Sequence, residues 1–216
     1  MAVQSVRRRL ADVGPEHVRA AGDFERVSLP YQDCNALRDL VAAEHARVVI
    51  EIGLAYGSSA LAIGEALLSI GQRNPKHIIV DPHQDHFENA GWNALTSAGL
   101  GNLCSLLPER SQLALPRLVA EEFVADAAFV DGSHAFHNVF VDLYFLGELV
   151  RPGGLIALDD PQWPSVATAI RYFEINTGWR AVEVPGQTRI AAFRLPDPRI
   201  DPSFENFKPF GAESMQ

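Results

Sequence analysis

The chain has 216 residues, 47% of them hydrophobic and 21% charged, which places it in the range of one globular domain able to bury a full core. Its formal charge of -9 provides no broad positive field for a phosphate backbone and argues against nucleic acid as a partner. The basic run Arg7-Arg8-Arg9 is followed by an alternating polar segment, not by the apolar core of a signal peptide, and no stretch has the roughly 18 to 20 apolar residues of a membrane span. A cytoplasmic protein with no membrane partner is the expectation.

In chain order, residues 1–45 mix helix formers with turn residues and read as a helical N-terminal extension. Cys34, inside it, and Cys104, further on, belong to no CxxC pair or Cys/His array, so both read as reduced, buried thiols. From residue 46 to 196, short apolar runs alternate with segments of helical period, the signature of a parallel sheet covered by helices. Strands are predicted at Arg47–Ile52, His77–Val80, Leu103–Leu107, Ala127–Val130, Leu155–Leu158, Ala181–Val184 and Ile190–Arg194. Helices are predicted at Ser59–Leu68, at His137–Val150 up to the turn Arg151-Pro152-Gly153-Gly154, and at Ser165–Asn176, closed by Gly178. The last two strands are separated by Pro185-Gly186-Gln187-Thr188, a hairpin-type connection. The fold expected is α/β: a Rossmann-like, doubly wound, seven-stranded, mostly parallel sheet with an antiparallel last strand and helices on both faces. The tail, residues 197–216, carries Phe204, Phe207 and Phe210 and is expected to pack on the body or on a second copy in a homodimer.

The first strand passes into its helix through Glu51-Ile52-Gly53-Leu54-Ala55-Tyr56-Gly57-Ser58-Ser59. A dinucleotide fingerprint needs a glycine where Ala55 stands, so that the backbone can approach a pyrophosphate, and a P-loop needs a lysine that this turn lacks. What remains suits a zwitterion. Glu51 can hold an ammonium or a bridging water, while the open N–H groups of the helix start and the hydroxyls of Ser58 and Ser59 can hold a carboxylate. Asp81, at the end of the second predicted strand, can accept from both hydroxyls of a ribose. An amino acid joined to a nucleoside without phosphate is S-adenosylmethionine.

The strings EIGLAYGSSAL, IIVDPHQ, LLPERSQLALPRL, FVDGSHAFHNVFVDL and LVRPGGLIALDD, in that order, resemble the class I S-adenosylmethionine-dependent methyltransferases. Within them the chain is similar to bacterial small-molecule O-methyltransferases and cephalosporin-hydroxylase-like proteins, over about residues 30–180. The resemblance implies that Gly53, Tyr56, Gly57 and Ser59 line the methionine end, that Asp81 binds the ribose, and that Ser111 lies near the adenine. Many relatives have an acid just before that serine, where this chain has Glu109-Arg110-Ser111. His83 is expected to shape the cofactor pocket.

Three further carboxylates end strands: Asp131, and the pair Asp159 and Asp160. Converging like charges raise one another's pKa, and a hard divalent cation such as Mg2+ or Ca2+, held by oxygens, relieves that. Relatives with this pattern bind such a metal, which the resemblance implies here, with Asp131 also counted among the cofactor's neighbours. Adjacent residues of a strand face opposite ways, so Asp159 and Asp160 share an ion only if the chain turns; the other reading makes Asp160 a cap. His134 is the candidate general base, with a hydrogen-bonded structural histidine as the other reading; Trp163 reads first as a buried packing aromatic and otherwise as a wall for a flat acceptor. The leading function is methyl transfer to a hydroxyl of a small molecule, with nitrogen as acceptor left open. A non-catalytic S-adenosylmethionine-binding protein is one alternative; a nicotinamide-dependent oxidoreductase is disfavoured by Ala55.

Overall fold

A computed structural model describes residues 2–186 and 188–210. Before the sheet come three helices, α1 (Ala2–Val13), α2 (Asp23–Val27) and α3 (Tyr31–Ala43). Alternating β and α units follow: β1 (Val48–Ile52), α4 (Ser58–Ser69), β2 (Lys76–Val80), α5 (Ala90–Ser97), β3 (Cys104–Leu107), α6 (Ser111–Ala120), β4 (Ala125–Val130), α7 (Phe136–Leu149), β5 (Val150–Leu158) and α8 (Pro164–Thr177). The sheet is completed by β6 (Arg180–Val182) and β7 (Ala191–Arg194).

Strand order is β3-β2-β1-β4-β5-β7-β6, with β1 to β5 parallel and β7 antiparallel to β5. The predicted seven-stranded sheet with its reversed last strand is what the chain forms. The order reverses between β1 and β4, and a crevice for ligands opens there beyond the strand ends. Ile52 pairs in register with Val80 and Val130, and Val130 with Leu158. The residues that come next, Gly53, Asp81, Asp131 and Asp159, therefore form one row along that edge.

β1 is buried along its whole length, and its side chains alternate between the two faces. Val48, Ile50 and Ile52 pack with Leu143, Leu146 and Ile170 of α7 and α8. Val49 packs with Leu37 and Ile63 of α3 and α4 on the opposite face. By the same period Glu51 points toward α4, which decides what it can bind. Cys34 and Cys104 are buried and unbridged, and burial pushes both thiols up to about 12.

Three elements differ most from expectation, and one is α5, a helix that was not predicted. β5 begins at Val150, so Arg151 to Gly154 form an irregularity inside the strand: Ala125 pairs with Val150, but Ala127 pairs with Leu155. Pro152 has no N–H for the ladder and Gly153 takes φ 68°, so the chain buckles without leaving the sheet. Helix α6 carries Pro116 in its interior, which masked its helical pattern in the sequence. In the tail, the ring of Phe210 lies 5.2 Å from that of Tyr172 on α8, while Phe204 is 91% exposed.

Candidate active site

The turn after β1 is folded tightly by three left-handed residues, Gly53 (φ 94°), Ala55 (φ 43°) and Gly57 (φ 87°). A Cβ on Gly53 would lie 2.1 Å from the backbone oxygen of Asp131, so only glycine lets this turn pass under the β4 loop. The folding turns the N–H groups of Leu54 and Ala55 toward Asp81. One Asp81 oxygen accepts from both (2.9 and 3.1 Å) and from Gln84 Nε2 (3.1 Å), and the other accepts from the N–H of His83 (2.7 Å). A carboxylate has about four lone-pair directions. Asp81 therefore holds the turn together first, and Oδ1 alone keeps room for a ribose hydroxyl, where the sequence suggested a grip on both.

Glu51 is fully buried under the cavity floor, where it accepts from the hydroxyl of Ser59. His77 Nε2 is 2.9 Å from its other oxygen, but the two are not aligned as a hydrogen bond. Neither Glu51 nor Ser59 presents a free group to the large cavity. Ser58 and Ser59 instead border, with Tyr56, a recess of about 10 Å3 covered by Val27, Ser28 and Leu29. Tyr56 was expected to line the methionine end, yet its hydroxyl donates to Asp23 (2.8 Å) and accepts from the N–H of Arg19 (3.2 Å). Its ring meets Phe24 and Phe87 edge-on. Asp23 is held well below the usual carboxylate range, by Arg19 first, with Tyr56 and Arg26 assisting against its burial. Tyr56 thus straps residues 19–27 across the site. Gly57 opens α4, and a Cβ there would press on the backbone of Gly91.

The main cavity, about 680 Å3, lies beyond the strand ends within the size range of small-molecule sites. Gly53, Asp81, His83, Ser111, Asp131 and His134 open onto it, as do Asp159 and Asp160. Ser111 starts α6 beside Gln112, Asn138 and Asp142; Glu109 turns to Arg117 instead. Asp142 is 1% exposed, with one oxygen unpartnered, and burial pushes it up to about 6 against a hydrogen bond from Ser111.

At the other end the chain does turn between the paired acids. Asp160 takes φ 55°, sending its carboxylate one way and that of Asp159 another. Asp160 Oδ2 is 3.1 Å from His134 Nε2, and its Oδ1 accepts from Gln162. Asp159 is gripped on both oxygens by the guanidinium of Arg189 (2.9 and 2.8 Å). Asp131 is pushed well above the ordinary carboxyl range by burial and then by Asp159, with Arg189 pulling the other way. Asp159 is raised too, by burial first and with Arg189 pulling it down, so the two acids titrate as a pair.

The expected metal set does not fit this arrangement. Among the described residues no group of three His, Cys, Asp or Glu side chains is placed to hold an ion, and the acids expected to share one are divided between Arg189 and His134. Trp163 is half exposed, 6.4 Å from His134 between ring centres. Sequence reasoning missed Arg189, although a signal existed: β7 runs antiparallel to β5 with Ala191 opposite Leu158. Any residue just before β7 must then land beside Asp159.

A family model described as a methyltransferase domain matches residues 50–161. A protein of Arabidopsis thaliana named as a caffeoyl-CoA O-methyltransferase is 27% identical over 146 residues, 68% of this chain and 60% of that one. The chain thus spans less than two thirds of that relative. A flavonoid 3',5'-methyltransferase of Vitis vinifera is 28% identical over 81% of this chain and 72% of its own. An O-methyltransferase from Bacillus cereus, solved with SAH, superposes with a TM-score of 0.66 at 18% identity, covering 90% of this chain and 100% of that one, a likeness of fold.

Proposed function

This chain belongs to the methyltransferase-domain family, and from that premise we propose that it transfers a methyl group from S-adenosylmethionine to a hydroxyl of a small molecule. The observation that carries the reading is one cavity with two equipped ends. Gly53, Asp81 and Ser111 line one side of it, and an imidazole 3.1 Å from a carboxylate lines another. The names of the plant relatives and the SAH bound to the Bacillus cereus protein support the same chemistry.

When bound, S-adenosylmethionine supplies a methyl on a positively charged sulfur. The chain's task is to place and deprotonate the acceptor, since such a displacement depends mainly on alignment and on a nucleophilic oxygen. His134 would serve as the proton acceptor, with the Asp160 carboxylate 3.1 Å from its Nε2 to stabilise the charge it gains. The acceptor oxygen would give its proton to the His134 imidazole and take the methyl that the bound donor would supply, the carbon–sulfur electron pair remaining with the sulfur, and Asp160 would stabilise the imidazolium. Ser111 and Asp81 Oδ1 position the nucleoside, and the strap held by Tyr56 covers the site. No described helix is long and apolar enough to cross a membrane.

Incubating the protein with S-adenosylmethionine and a panel of hydroxylated aromatics and sugars, then scoring methylated products by mass spectrometry, tests the reading. His134→Ala is expected to bind S-adenosylhomocysteine like the wild type while losing transfer. Equal product formation by wild type and variant would remove His134 from the chemistry.

A further inference from the structure

The acidic end of the cavity raises a question of charge that the transfer reaction leaves unanswered. Asp33 of α3, Asp131 after β4, and Asp159 and Asp160 after β5 all face one small region, with Glu51 beneath it. Buried carboxylates so close either take up protons or need a resident cation. One cation is present and built in. Arg189 enters from the connection before β7 and forms a two-pronged pair with Asp159, which is 1% exposed in its side chain. The same guanidinium lies 3.7 Å from Asp160, 4.0 Å from Asp33 and 3.5 Å from the carbonyl oxygen of Ser28.

We infer that Arg189 is the permanent cation of this site, standing where an oxygen-bound divalent ion would otherwise be needed, so that transfer runs on a guanidinium and an imidazole. The inference rests on the methyltransferase reading for its chemical consequence, and on the ion-pair geometry alone for the assignment. Guanidinium and metal differ in what they do. A guanidinium keeps its charge at every accessible pH and donates N–H groups in a fixed fork, but it has no open coordination position and does not acidify a bound hydroxyl as a metal does. A divalent ion with open positions favours acceptors that chelate it through two neighbouring oxygens. Arg189 makes no such demand, so a single hydroxyl within reach of His134 suffices. The lone base must remove the proton unaided, which favours the more acidic hydroxyls: a phenol, near 10, over an alcohol.

The test counts ions without needing the acceptor. Wild-type protein is titrated with Mn2+ and followed by electron paramagnetic resonance, and its thermal unfolding is recorded with Mg2+, Ca2+ or EDTA. No stoichiometric Mn2+ and no shift of the unfolding midpoint are expected. Arg189→Met should unfold at a lower temperature near pH 8, with a deficit that narrows as the pH falls and the carboxylates take protons, and millimolar Mg2+ should restore part of the loss. Arg189→Lys should lie between the two. One Mn2+ per wild-type chain, removed by Asp159→Asn, would overturn the inference, as would an Arg189→Met protein that melts like the wild type near pH 8. If Arg189→Met does not fold, the wild-type titration decides alone. Calorimetry with S-adenosylhomocysteine on the same wild-type sample separates the two claims: absent heat counts against the methyltransferase reading and leaves the ion count standing.

Discussion

The turn after β1 and the ends of β4 and β5 line one cavity, yet they are held by different means. At the turn, backbone geometry does the holding: left-handed φ at Gly53, Ala55 and Gly57, with two N–H groups tied to Asp81. At the strand ends, side chains hold one another through Asp159 with Arg189 and Asp160 with His134. The first takes its shape from dihedrals within the short turn itself, although Asp81 lies 26 to 27 residues further on. The second is made by side chains alone, and its Asp159–Arg189 pair, 30 residues apart, depends on the reversed last strand. A backbone-held region should fail all at once when one residue is changed, whereas a side-chain network should lose function in parts.

The largest expected effect follows from that contrast. Gly53→Ala places a methyl 2.1 Å from the Asp131 carbonyl oxygen at a φ of 94°, and unfolding in urea should show a loss above about 4 kcal/mol. A loss under about 1 kcal/mol would mean that the turn yields easily and the contrast is false. Next comes His134→Ala, with transfer slowed by about 100-fold or more and urea stability within about 0.5 kcal/mol of wild type.

Asp142→Asn should act in the opposite direction, as a stabilising change. The native pKa of Asp142 is raised from 3.8 to about 6, so the folded state holds this proton more tightly than the unfolded chain. Stability from this group is full below about pH 4, falls as the pH rises toward 6, and stays low above it. Two units at about 1.4 kcal/mol each set an upper bound of about 3 kcal/mol gained by the variant near pH 7.5, vanishing near pH 4. Paired urea curves at the two pH values check the sign, and a variant no more stable than wild type at the higher pH would contradict it. A smaller effect is expected at Tyr56→Phe, which removes the hydrogen bond to a carboxylate that two arginines still hold and the acceptor of the Arg19 N–H. Its cost should be about 1 to 2 kcal/mol, together with faster amide exchange in residues 19–27.

The contrast also explains what could be read from the sequence. The seven strands and the β1–α4 turn are encoded by neighbouring residues, β-branched runs and glycines, and they were legible within a few positions. Asp81 was found at its strand end, but its commitment to Leu54 and Ala55 depends on how the turn folds back. Tyr56 sits inside the recognised motif, and its side chain turns to Asp23 because the N-terminal segment offers a partner there. The three acids were visible as charges and read as a metal set. Their neutraliser was missed because Arg189 reaches them only through the antiparallel register of β5 with β7. Asp142 carried no local signal; nothing in the α7 sequence distinguishes it as a buried acid.

Calorimetric titration of the wild-type protein with S-adenosylhomocysteine, with NAD as the control, tests the central claim most directly. One site per chain for S-adenosylhomocysteine and none for NAD is the expected outcome. Saturable binding of NAD with no heat from S-adenosylhomocysteine would contradict it.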